Sequence, residues 1–128
     1  WNHENFAVIC NNEILGYFEA GWNKPLNIIT TFRLIVFNKK KSFIVAKAFF
    51  QYLDYLFIAR GANSINWTVA LKNTHALKIY TKFIKKNCGH IVGDRHFGQM
   101  AYDGEVSDIR LFELTKTEYL MWRNHHSL

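Results

Sequence analysis

The sequence has little of what would break it up. It has one proline, Pro25, and seven glycines in 128 residues, so its elements should be long and its loops short. It has two cysteines, Cys10 and Cys88, far apart and without CxxC spacing. That excludes a disulfide framework and leaves two free thiols suited to a reducing compartment. No run approaches the roughly 20 apolar residues that span a bilayer, so no membrane partner is expected. The opening Trp1-Asn2-His3-Glu4 shows no signal-peptide pattern. It also lacks Met, which leaves open a longer parent chain. A cytoplasmic protein is the expectation.

Acids are scarce beside bases. Ten Asp and Glu face sixteen Lys and Arg, a formal charge of +6. Such a balance favours anionic partners: nucleic acid, a membrane surface or a phosphorylated cofactor. The lysines cluster at 39–41 with Lys47, and again at 78, 82, 85 and 86. Either cluster also reads as a solvated face. Hydrophobic residues reach 49% and aromatic ones 16%, which excludes a disordered chain. The length suits a single domain, residues 1–128, with one sizeable core.

The order of elements can be read from periodicity. Asn5–Asn11, Ile14–Trp22 and Asn27–Phe37 are runs of strand formers joined by turn signals at Asn11-Asn12 and Asn23-Lys24-Pro25. They predict an antiparallel meander. After a lysine-rich loop, Asn38–Ser42, helical spacing of Val45, Phe49, Tyr52, Leu53 and Leu56 predicts a helix from Phe43 to Ala59. Arg60-Gly61 supplies its stop. Ser64–Leu71 alternates as a strand. Asn73 or Thr74 can cap a following helix whose apolar face is Ala76, Ile79, Tyr80, Phe83 and Ile84, ending at Gly89. His90–Met100 and Ser107–Leu114 flank a hairpin signal at Asp103-Gly104. Thr115 to Glu118 forms a capping box that opens a last helix through Trp122. The fold class expected is α/β with a mixed sheet, a meander followed by β-α-β-α-β-β and a C-terminal helix. The crossover from Phe37 to Ile65 makes that strand pair parallel.

Asn73, Ala76 and Tyr80 fit N-x-x-A-x-x-x-Y directly after a strand, ahead of basic residues and the Gly89-to-Gly93 stretch. In that context the pattern resembles the second cofactor motif of the GNAT superfamily of N-acyltransferases. The element order is similar to that family over nearly the whole chain. The resemblance implies acetyl-CoA, or another acyl-CoA, as co-substrate and a primary amine as acceptor, with direct transfer between them. It gives Asn73 a cofactor contact and puts Tyr80 beside the thioester sulfur as general acid. Asn73 reads equally as a helix cap, and Tyr80 as a core ring.

The family's pyrophosphate turn, Gln/Arg-x-x-Gly-x-Gly/Ala at a helix N-terminus, corresponds to Lys41-Ser42-Phe43-Ile44-Val45-Ala46, with Lys47 following. Ile44 stands where the family has its first glycine, which hinders close approach of backbone to phosphate. The family's splayed strand, which pairs with pantetheine, corresponds to Leu34, Ile35 and Val36. That strand carries no acid here. Glu19 on the preceding strand is therefore the candidate base, with His3 and Glu4 further off. No metal-ligand spacing is present. A homodimer stays open. The competing reading is a non-catalytic module of the same fold that binds nucleic acid or a protein.

Overall fold

The computed structural model describes the backbone of residues 2–100 and 104–126, and the side chains of these apart from residues 2 and 97–100. Asp103 of the predicted hairpin turn lies outside the described residues. The architecture is α/β. A six-stranded mixed sheet has the order β1-β2-β3-β4-β6-β5, and three helices accompany it. The chain divides after Ile65 into two compact units.

The first unit begins with β1 (Asn2–Cys10), β2 (Glu13–Asn23) and β3 (Ile28–Val36). Asn11 and Asn12 both have positive φ, 50° and 66°. That is the primed hairpin turn whose twist matches the strands it joins, and asparagine tolerates it. β2 pairs antiparallel with both neighbours, Phe18 lying between Phe6 and Leu34. β4 (Ser64–Ala70) starts parallel to β3, through Ile28 with Ser64 and Ile29 with Ile65.

Between β3 and β4, a short 3-10 turn at Lys39–Lys41 leads into α1 (Ser42–Asp54). The helix then widens into a π-helical turn at Tyr55–Ala59. Gly61, at φ +69°, ends it in the left-handed conformation glycine favours. The Asn27 side-chain amide donates to the Gly61 carbonyl. Phe6, Phe18, Phe32, Phe49, Tyr52 and Tyr55 form one ring cluster, Phe18 and Tyr52 stacking at 5.0 Å. Leu15, Trp22, Ile29, Val45, Leu53, Leu56 and Phe57 are nearly solvent-free.

One expectation is corrected. The helical run Lys39–Ala59 has 21 residues and contains an 18-residue window with a mean hydropathy of 1.3. It is long and apolar enough to cross a membrane by length and composition. The lysines at its start hide this in a residue-by-residue scan. A core helix meets the same test, and Val45, Tyr52, Leu53, Leu56 and Phe57 are buried here.

The second unit holds the rest of β4, α2 (Thr74–Lys86), β5 (His90–Met100), β6 (Val106–Thr115) and α3 (Lys116–Asn124). β5 and β6 pair antiparallel with two irregularities. Trp67 stacks on Phe112 with centroids 5.5 Å apart, and Tyr80 leans on both rings. The α3 capping box is complete: Thr115 Oγ1 accepts from the Glu118 backbone, and Glu118 accepts from the Thr115 backbone. Cys88 is buried and Cys10 half-buried, and both are free thiols. Burial pushes the Cys88 thiol up to about 12, so it stays protonated and inert.

Candidate functional site

In the first unit, β3 and the start of α1 carry one group of candidate residues. The ladder from β3 to β4 covers only Ile28 and Ile29. From Thr30 to Val36 that edge of β3 has no strand partner among the described residues. Its N–H and C=O groups are therefore available to an extended ligand. Leu34, Ile35 and Val36 lie on this stretch, half-buried. Their side chains alternate: Leu34 and Val36 share a face with Phe18 and Gly16, and Ile35 takes the opposite one with Tyr17.

The α1 N-terminus has Lys41 at the cap position, where its side chain makes no capping hydrogen bond, and no acid in the first turn. The Ser42 N–H there is taken by the Lys39 carbonyl of the preceding 3-10 turn, and the helix end carries its positive pole. Ser42, Phe43, Ala46 and Lys47 are exposed and Ile44 half-exposed. Val45 is different. It is 1% exposed, and both its methyl groups sit against Gly16, so its side chain belongs to the core. Lys41 also departs from a simple phosphate-facing role. Its Nζ donates to Glu13 Oε1 at 2.8 Å, and Asn38 donates to the other Glu13 oxygen at 3.0 Å. The Lys41 hydrogen bond is the main cause holding the Glu13 carboxyl below its usual range. Sequence separation concealed that pair: its partners stand 28 positions apart.

Glu19 lies on β2, partly shielded, with His3 Nδ1 at 3.8 Å. The neighbouring Glu4 takes part in a separate arrangement. Arg60, just past the π turn, pairs with Glu4 and donates to the Tyr55 hydroxyl, and its guanidinium stacks 4.7 Å over Trp22. Glu4 is thus tied to the end of the helix and is a structural anchor.

In the second unit, Asn73 caps α2. Its side-chain oxygen accepts from the Ala76 backbone at 3.2 Å, leaving the NH₂ end of the amide for any ligand. Tyr80 lies two turns on. Its ring is held by Trp67 and Phe112, while its hydroxyl has no hydrogen-bond partner among the described residues. Burial raises its pKa, so the phenol is protonated at neutral pH. Helix cap and ligand contact are compatible for Asn73, as are packed ring and acid for Tyr80.

Two further features stand out, the first at the lysine cluster of 78, 82, 85 and 86. α2 carries an open groove of about 550 Å³ lined by Leu77, Lys78, Thr81, Lys82, Lys85 and Lys86. His90 is bracketed by Glu118 at 2.9 Å and Glu113 at 3.2 Å. Among the described residues, no group of three His, Cys, Asp or Glu side chains could hold a metal ion.

No protein-family model matches the sequence, and no curated protein matches it. Solved structures do match in fold. A mutant of the spermidine N-acetyltransferase SpeG from Vibrio cholerae is similar over 97% of this chain and 70% of its own, with a TM-score of 0.76 at 19% identity. Further mutant forms of that spermidine/spermine N-acetyltransferase are similar over 98% and 72%, with a TM-score of 0.77 at 19% identity. A structure described as a putative acetyltransferase is similar over 95% of this chain and 63% of its own, with a TM-score of 0.75 at 16% identity. The chain has the fold of these proteins.

Proposed function

We propose that the chain, taken as one domain, is an acyl-CoA-dependent N-acyltransferase that moves an acetyl group from acetyl-CoA directly to a primary amine. One observation carries the reading. A chain with the fold of N-acetyltransferases has N-x-x-A-x-x-x-Y at the junction of β4 and α2, with the Asn73 side chain at the cap and the Tyr80 hydroxyl unpartnered.

The residues present fit the cofactor. Lys39, Lys40 and Lys47 are exposed around the uncapped end of α1 and suit a pyrophosphate. The unpaired edge of β3 at Leu34 to Val36 suits pantetheine amides. Bound acetyl-CoA supplies the thioester. Backbone N–H groups of β3 would hydrogen-bond the carbonyl oxygen as charge develops on it. Glu19, with His3 beside it, would take the proton from the acceptor ammonium, leaving a neutral amine. Tyr80 would deliver its phenolic proton to the departing sulfur and recover it from solvent. Ile44, a β-branched residue at the family's glycine position, keeps the phosphate further from the backbone, so the lysines carry more of its binding. Spermidine is the amine named for the similar structures, and it serves as a reference acceptor in assays of this chain.

The α2 groove favours a second reading, a polyanion-binding module. Lys78, Lys82, Lys85 and Lys86 line it, α2 contains no acid, and none of the four makes an ion pair among the described residues. Calorimetry separates the two. Acetyl-CoA should bind with a dissociation constant below about 1 mM, which corresponds to roughly −4 kcal/mol. No heat at millimolar acetyl-CoA, together with binding to single-stranded nucleic acid that weakens steeply with salt, would replace the enzyme reading with the second one.

A further inference from the structure

Strand register places a charged row on the face of the first unit opposite its ring cluster. Asn5 pairs with Glu19, and Glu19 pairs with Arg33. Directly opposed residues in antiparallel strands point to the same side, with Cβ atoms about 5 Å apart. The row above is His3, Gly21 and Thr31, and the row below is Ala7, Tyr17 and Ile35. The Tyr17 hydroxyl donates to Asn5 at 2.7 Å. The other face of the same strands carries Phe6, Phe18 and Phe32. The polar face is therefore a patterned surface, two residues in period, and not an accident of composition.

Glu19 and Arg33 do not satisfy each other. The ion pair that Glu19 makes is with His3, at 3.8 Å. Arg33 is exposed and has neither an ion pair nor a hydrogen bond among the described residues. A carboxylate and a guanidinium thus stand side by side with their charges apart. A planar guanidinium with paired donors matches carboxylate and phosphate oxygens.

We propose that the acceptor is a primary amine that also bears an anionic group, carboxylate or phosphate, with its ammonium at Glu19 and its anion on Arg33. This rests on the acyltransferase reading and narrows its substrate class. A polyamine such as spermidine carries only positive charge. It would meet Arg33 as a like charge beside the very carboxylate it needs. Asn5, Tyr17 and Thr31 add amide and hydroxyl groups for a polar acceptor. Arg33 is then the specificity-determining residue.

The test uses the full chain, acetyl-CoA and acceptors matched except for the anion. The pairs are ethanolamine with O-phosphoethanolamine, glucosamine with glucosamine 6-phosphate, and propylamine with β-alanine, plus spermidine alone. The anionic member of at least one pair should be preferred tenfold or more in kcat/KM. The phosphate and carboxylate arms tell which anion is read. In Arg33→Ala that preference should fall toward one, and Arg33→Lys should restore part of it. Preference for spermidine or for the members that lack the anion, or a ratio unchanged in Arg33→Ala, overturns the proposal. So does acetyl-CoA binding without acetylation of any amine in the panel. Failure of acetyl-CoA to bind at all instead removes the acyltransferase reading, and the acceptor assignment falls with it.

Discussion

Gly16 sits on β2 beneath the first turn of α1, and its replacement by alanine tests how that turn is seated. A Cβ there would lie 2.9 Å from the Ile35 carbonyl oxygen and 3.1 Å from both Val45 γ-carbons. The first contact is with backbone and cannot rotate away, so strand or helix has to shift. Overpacking of this kind costs about 1–3 kcal/mol. Alanine recovers about 0.4–1 kcal/mol by restricting the unfolded chain. The expected net loss for Gly16→Ala is about 1–2 kcal/mol, seen as a fall in Tm of roughly 3–8 °C for a chain of this size. A thermal scan by circular dichroism, with urea unfolding beside it, measures the change. Trimming Val45 should relieve the side-chain part, so Gly16→Ala with Val45→Ala should lose less than the sum of the singles. If the proposed function holds and the pyrophosphate binds at this turn, Gly16→Ala should also raise the KM for acetyl-CoA. A variant as stable as the parent, or strictly additive with Val45→Ala, refutes the seating argument.

The remaining predictions concern single side chains. Tyr80→Phe keeps the ring between Trp67 and Phe112 and removes only the hydroxyl, so kcat should fall about 10²-fold or more while acetyl-CoA affinity by calorimetry stays within twofold; an unchanged kcat removes Tyr80 from the acid role. The His90–Glu118 pair should make stability pH-dependent. The Glu118 hydrogen bond is the largest cause raising His90 above its usual 6.5, so His90 stabilises below that pH and its contribution fades as pH rises through the raised value. For Glu118, burial alone would raise the pKa, but His90 and Thr115 outweigh it and hold it below 4.5; its contribution fades as pH falls through that lowered value. Glu118→Gln, which can keep the capping box, should therefore lower Tm most between about pH 4.5 and 6.5 and least at pH 8. A difference independent of pH would show that the carboxylate acts only as a cap.

Much of the architecture could be read from pattern. The period-two runs and helical spacings are local signals, and each strand and helix forms where they lie. The Asn11-Asn12 turn and the Thr115–Glu118 box were legible because their chemistry is carried by adjacent residues. The misses share a cause, which is dependence on partners distant in the chain. The first strand begins at Asn2, not Asn5, because β2 extends far enough to pair with it. The Lys41–Glu13 bond and the Arg60–Glu4–Trp22 anchor join residues with no shared periodicity. The row of Asn5, Glu19 and Arg33 exists only once two registers are known. Asn73 and Tyr80 could be picked out because a motif places them at the start of and along one short helix; the row proposed for the acceptor has no such motif, and strand pairing alone assembles it.

The π-helical turn at Tyr55–Ala59 bears on how this chain tolerates change in length. An α-helix advances 100° per residue, and a π turn accommodates one residue more than its α counterpart. Deleting a single residue between Tyr55 and Ala59 would let the segment close into regular α-helix. The flanks would keep nearly the same phase, because the π turn only absorbs the extra residue. Tyr52 would stay with the rings of β1 to β3, and Arg60 with Trp22 and Glu4. The wide turn is thus a place where the chain can lose one residue between two anchors without giving up either.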